Sequence, residues 1–148
     1  MQKFFLILLL SASTTLYACT KCACPYALDI VIKNQTAADC YLVQNTVHEG
    51  MIFSQFYPLK IAAGETSAPY TFEIDAATQT TKVSLSFQCD NKFVSFDAQR
   101  MFVRGYLSNT ETVRGSITSI ANMDAFYTTV PSHCDEPVTT NTIYWTLK

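Results

Sequence analysis

The clearest pattern of apolar and polar positions runs from Lys82 to Phe96, KVSLSFQCDNKFVSF. Val83, Leu85, Phe87 and Cys89 fall on one side of an extended backbone and Ser84, Ser86 and Gln88 on the other, which is the period-two signature of a half-buried strand. Asp90-Asn91-Lys92 is polar and tolerates turn conformations, so Phe93 to Phe96 is predicted to return antiparallel. The same alternation recurs with Leu28, Ile30 and Ile32 inward over Leu28 to Lys33, with Tyr70, Phe72 and Ile74 over Tyr70 to Asp75, and with Ile143, Trp145 and Leu147 over Thr142 to Lys148. Cys40 to Val47, Thr112 to Ile120 and Met123 to Val130 are rich in β-branched and aromatic residues and also read as strands.

Between these elements the chain turns at Asn34-Gln35-Thr36, breaks at His48-Glu49-Gly50 and turns again at Gly64. Pro58 confines any strand in the apolar run Met51 to Leu59 to an edge or an end. Ala98 to Leu107 suits a short helix and a strand equally. Pro131 to Pro137 reads as a loop. About eight to ten short strands with regular turn signals and no long helix predict an all-β fold, a single antiparallel β-sandwich.

The N-terminus has a different grammar. Lys3 precedes an unbroken apolar run from Phe4 to Leu10 and a small-residue exit from Ser11 to Ala18, so residues 1–18 read as a signal peptide. The run is well short of the roughly 20 residues of a membrane span, and no transmembrane span is expected elsewhere. Leu16-Tyr17-Ala18-Cys19 has two readings. One is a cut after Ala18 that releases a secreted or periplasmic protein; the other is a bacterial lipobox, which would lipidate Cys19 and make an outer-membrane lipoprotein with a structural or assembly role. Cysteine parity favours the first, because lipidating Cys19 strands one of the six cysteines.

Cleavage after Ala18 leaves a cysteine-rich leader, residues 19–27, and a domain over residues 28–148, enough chain for one hydrophobic core. The mature chain carries nine Lys and Arg against twelve Asp and Glu, a net charge of −3 with no basic cluster. Nucleic acid is therefore not an expected partner, since that binding depends on neutralising phosphates. Export into an oxidising compartment makes Cys19, Cys22, Cys24, Cys40, Cys89 and Cys134 candidates for disulfides that staple the fold. Six cysteines allow 15 pairings and the sequence does not choose among them; a Cys40–Cys89 bridge between two core strands is the expected one. The C-x2-C-x-C spacing of the leader is not a usual zinc pattern, and no metal is assigned.

Catalytic chemistry has few candidates. His48 and His133 are the histidines, and neither lies in a motif whose geometry places a nucleophile beside it. A small secreted hydrolase using His48 or His133 is thus the alternative reading, and no catalytic residue or cofactor is assigned. Glu73 and Asp75 share the outer side of one strand as solvated acids do. Asn34-Gln35-Thr36 is formally a glycosylation sequon, but the turn reading takes precedence.

The aromatic residues carry more. Adjacent pairs at Phe56-Tyr57, Phe126-Tyr127 and Tyr144-Trp145 must point to opposite sides of an extended chain, so one of each pair faces away from the core. An exposed aromatic platform suits stacking on sugar rings or contact with a lipid headgroup boundary. Phe53, Phe56, Tyr57 and Tyr106 are the candidate ligand-binding residues.

LDIVIKN, a cysteine-bearing strand, Gly50, then PLKIAAGE and YTFEI resemble the opening half of small secreted aegerolysin-type β-sandwich proteins, over Leu28 to Ile74. The resemblance implies a β-sandwich that binds membrane lipid. The later half has no assigned counterpart, so no functional residue is carried over. The expectation is an exported binding or interaction module, without enzymatic activity, whose partner is membrane lipid, glycan or another envelope or extracellular protein. Its oligomeric state is not expressed in the sequence.

Overall fold

A computed structural model describes residues 27–52, 58–73, 75, 78–104, 109–130 and 141–148. The strands are β1 (Ala27–Asn34), β2 (Cys40–Glu49), β3 (Met51–Ile52), β4 (Lys60–Ile61), β5 (Tyr70–Glu73), β6 (Thr80–Cys89), β7 (Lys92–Arg104), β8 (Asn109–Ala121), β9 (Ala125–Val130) and β10 (Asn141–Leu147). They form two five-stranded sheets, one ordered β3-β5-β1-β10-β9 and the other β4-β2-β6-β7-β8. The predicted sandwich is therefore the observed architecture. Among the described residues no helix is long and apolar enough to cross a membrane.

The central hairpin forms as its pattern requires. β6 and β7 pair in unbroken register from Thr80↔Met101 to Cys89↔Lys92, and Asp90 adopts φ 57° at the turn. The left-handed conformation is one that Asp adopts at low cost. Val83, Leu85, Phe87 and Cys89 on β6 and Val94, Phe96 and Ala98 on β7 are all buried. The segment after Ala98 extends β7 to Arg104, which settles the choice between helix and strand. Pairing with β8 from Phe93↔Ala121 to Arg104↔Asn109 supplies the long-range partner that local periodicity does not reveal.

One seam departs from antiparallel pairing. β1 and β10 run parallel, in register from Leu28↔Asn141 to Asn34↔Leu147, and Gln35 N–H donates to Leu147 C=O at 2.8 Å. A strand pattern fixes which side chains face inward but not the direction of a neighbour 100 or so residues away. Both strands are central in their sheet, and Leu28, Ile30, Ile32, Ile143, Trp145 and Leu147 are fully buried.

The core between the sheets is a row of rings. Tyr70 meets Phe87 edge-on at 6.1 Å, Phe87 stacks with Phe96 at 6.0 Å, Phe96 stacks with Trp145 at 4.1 Å, and Tyr127 tilts against Trp145 at 4.9 Å. Tyr70, Trp145 and Tyr127 come from one sheet and Phe87 and Phe96 from the other, so the row ties the layers together. Gly115 on β8 admits the indole: a Cβ there would lie 2.7 Å from Trp145 Cζ2. Gly50, at φ 97°, carries the chain past Glu73, whose carbonyl oxygen would stand 2.3 Å from an added Cβ.

Asn34 shows that the turn reading of Asn34-Gln35-Thr36 is the physical one. Its amide is fully buried and donates to the carbonyls of Ala38 at 2.8 Å, Ile61 at 3.1 Å and Ala62 at 3.1 Å, while its Oδ1 accepts from Thr36 N–H and Oγ1. A nitrogen committed in this way holds the β1–β2 turn against β4 and leaves no room for a glycan.

Cys40 and Cys89 are joined by a disulfide between β2 and β6, as expected. Cys19, Cys22, Cys24 and Cys134 lie outside the described residues. Closing a loop of 49 residues removes denatured-state entropy worth about 4 kcal/mol in the chain-entropy description. The double variant C40A/C89A is therefore expected to lose about 2–4 kcal/mol in a denaturant titration, and an unchanged midpoint would show that the bridge is dispensable.

Tyr70 stands at one end of the row of rings. Its hydroxyl is drawn into the core edge and donates to Pro58 C=O at 2.5 Å, and burial pushes its ionisation well above the ordinary value of 10.0. The unfolded chain releases this proton more readily, so the stabilisation is complete below pH 10.0 and falls away as pH rises toward the folded value. Thermal melts of the wild type are expected to drop above that pH, and Y70F, less stable at neutral pH by about 1 kcal/mol, should drop less; parallel losses in the two proteins would exclude Tyr70 as the cause.

Candidate functional site

The inward faces of both sheets are committed to the core, so chemistry is confined to the outward faces and the strand ends. The outward face is polar along the middle of β6 and β7, while β2 also exposes Tyr41 and Val43. β2 carries two bulges, between Leu42 and Gln44 and between Val47 and Glu49. The second is the break legible at His48-Glu49-Gly50, and it turns His48 outward over β6. His48 Nε2 lies 2.7 Å from Ser84 Oγ, and Ser84 Oγ donates to Asp97 Oδ1 at 2.6 Å. Next to them Ser86 Oγ donates to Ser95 Oγ at 2.9 Å.

A histidine, a hydroxyl and a carboxylate thus come together, but in an order that does not make a nucleophile. In a hydrolytic triad the imidazole stands between the other two and withdraws the hydroxyl proton. Here the hydroxyl stands in the middle and its single proton is held by Asp97, so the imidazole N–H is the donor to Ser84 Oγ. The three groups order one another as a cross-strand hydrogen-bonded row. His133 lies outside the described residues. Among the described residues, no cluster of three His, Cys, Asp or Glu side chains could hold a metal ion.

The outward face of the other sheet carries exposed aromatic and apolar side chains among threonines where β9 and β10 meet. Thr128 pairs with Tyr144, Thr142 with Val130 and Thr146 with Phe126, which puts Phe126, Val130 and Tyr144 on one face as diagonal neighbours. Phe126 is 47% exposed, Val130 53% and Tyr144 44%. Lys148 Nζ sits 5.1 Å from the centre of the Phe126 ring, so the aromatic strip carries a cation at its end. The adjacency argument holds at β10, where Tyr144 points outward and Trp145 is fully buried. At β9 it holds in direction, but edge position leaves Tyr127 partly open although it packs on Trp145.

Phe53, Phe56, Tyr57 and Tyr106, the residues singled out for ligand contact, lie outside the described residues. Their flanks are defined: β3 ends at Ile52 and is exposed, and Tyr106 falls between the ends of β7 and β8. The sequence did not single out Phe126 and Tyr144 as site residues, although it marked both as members of split pairs. Ser84 and Asp97 were missed because a serine and an aspartate on the polar side of a hairpin look alike whether or not they face a histidine on a third strand. Arg100 is a further surprise, fully buried and partnered on the inward side of β7.

No protein-family model matches the chain, and no curated protein sequence does. Among solved structures it is similar to the crystal structure of the lipid binding protein Nakanori, with a TM-score of 0.55 and 9% sequence identity, over 82% of this chain and 70% of that one. At that identity the likeness is one of fold: the two chains share a β-sandwich.

Proposed function

We propose that this protein is an exported, non-enzymatic binding module that attaches to lipid surfaces through exposed aromatic side chains. The observation that carries the reading is the strip of Phe126, Tyr144 and Val130 on the outward face of β9 and β10, ending in Lys148. Half-exposed rings bring apolar area and a polar rim to a headgroup boundary, and Lys148 adds attraction to anionic lipid. Phe53, Phe56, Tyr57 and Tyr106 are the second set of contacts in the same reading. Support comes also from the fold shared with a protein described as lipid binding, and from the aegerolysin-type resemblance of Leu28 to Ile74. The Cys40–Cys89 bridge fits an oxidising compartment, in keeping with removal of residues 1–18 and secretion or periplasmic residence.

The test is co-sedimentation of the purified protein with vesicles of phosphatidylcholine, with and without phosphatidylserine. Removing two half-exposed rings gives up apolar contact worth about 1 kcal/mol each, so F126A/Y144A is expected to bind roughly tenfold to thirtyfold more weakly. A parallel F53A/F56A/Y57A variant and Y106A measure the second set. Wild-type protein that stays in the supernatant with every vesicle, or variants that all bind as well as wild type with their melting curves intact, would overturn the proposal.

A further inference from the structure

The face opposite the aromatic strip holds a cleft of about 200 Å³ lined by Lys82, Asp97, Gln99, Arg114, Gly115 and Ser116. It is built on strands. Lys82 pairs with Gln99 and Gln99 with Arg114 in one cross-strand row; Ser84 pairs with Asp97 and Asp97 with Ser116 in the next. Its side chains therefore converge from β6, β7 and β8 on the outward face, on a platform whose inward face is locked in the core. We propose that this cleft is a binding site for an acidic sugar unit, a hexuronate or a sugar phosphate.

The charges set the first half of the argument. Lys82 and Arg114 contribute two cations, and among the described residues neither has an ion-pair partner. Glu49, opposite Lys82 in β2, and Asp97 are the carboxylates on this part of the face. Lys82 and Arg114 flank Gln99 in one row, and the arginine fork matches a carboxylate or phosphate.

The hydrogen-bonding groups set the second half. Asp97 is held by Ser84, itself held by His48, so one wall is fixed before any ligand arrives. A fixed carboxylate disfavours a bare inorganic anion but accepts hydroxyl protons, and the Gln99 amide and Ser116 hydroxyl can donate or accept. Among the described residues, the lining offers no apolar side chain for an acyl chain and no ring for stacking a neutral sugar. Its volume is below the roughly 300–1,000 Å³ of pockets for drug-sized ligands, which fits one sugar residue. The row His48–Ser84–Asp97 thus acts as a positioning element for the Asp97 wall.

Backbone amide shifts of the full mature protein, titrated with glucuronate, glucose 6-phosphate, glucose and inorganic phosphate, test the assignment, with polygalacturonate as the polymeric arm. Glucuronate or glucose 6-phosphate is expected to shift amides of β6 to β8 around the cleft, more tightly than glucose or phosphate, and K82Q and R114Q should each weaken that binding roughly tenfold. Tighter binding of polygalacturonate than of glucuronate would identify a glycan chain as the source of the unit; the reverse would identify a free sugar, and both keep the site. No shifts with any acidic sugar, equal affinity for glucose, equal affinity for inorganic phosphate, or shifts confined to other strands would overturn it. The vesicle result is independent, because Phe126 and Tyr144 stand on the other sheet.

Discussion

The stack of Trp145 on Phe96 is the contact on which the rest of this sandwich depends. It joins β10 of one sheet to the central hairpin of the other at 4.1 Å, and Phe87, Tyr70 and Tyr127 extend it into a row across the core. Each ring brings a large apolar area and a restricted geometry, so the row specifies both how far apart the sheets lie and how they are offset. Gly115 is the consequence on β8, where the indole has taken the space of a side chain. The parallel seam of β1 and β10 is what delivers Trp145 to this place, next to Ile32 in the register.

Because the inward faces alone carry the core, the outward faces are free to differ, and they do. On one sheet Phe126, Val130 and Tyr144 form an apolar strip beside Lys148; on the other, His48, Ser84, Asp97 and their neighbours form a hydrogen-bonded polar surface. Period-two alternation makes this division possible, since a residue facing outward costs the core nothing. The proposed lipid contact and the proposed sugar site thus lie on opposite faces of the sandwich. Neither requires a reacting group, and the order of His48, Ser84 and Asp97 is suited to holding a wall rather than activating a nucleophile.

Contacts of β10 and Lys148 close one end of the sandwich. Gln35 and Asp124 hydrogen-bond the backbone of Leu147 and Lys148, and Asn34 ties the same corner to β4. The disulfide of Cys40 and Cys89 lies at this end as well, one residue from the hairpin turn at Asp90 and Asn91. Most of these contacts join residues far apart in sequence, so folding is expected to be slow for its size.

The sequence by itself determined which residues face the core. Val83 to Cys89, Leu28 to Ile32, Tyr70 and Phe72, and Ile143 to Leu147 were all legible, because alternation on a strand is a local property imposed by the pleat. It also determined the sandwich class and the hairpin; cysteines on two core strands made Cys40–Cys89 the expected bridge, which the structure then selected among 15 possible pairings. Tertiary structure alone decided the parallel pairing of β1 with β10, the strand state of Ala98 to Arg104, the meeting of His48 with Ser84 and Asp97, and the joining of Phe126 and Tyr144 into one strip. Each of these rests on register between strands distant in sequence, or on a bulge that reverses a side chain, and neither leaves a trace in the spacing of one segment.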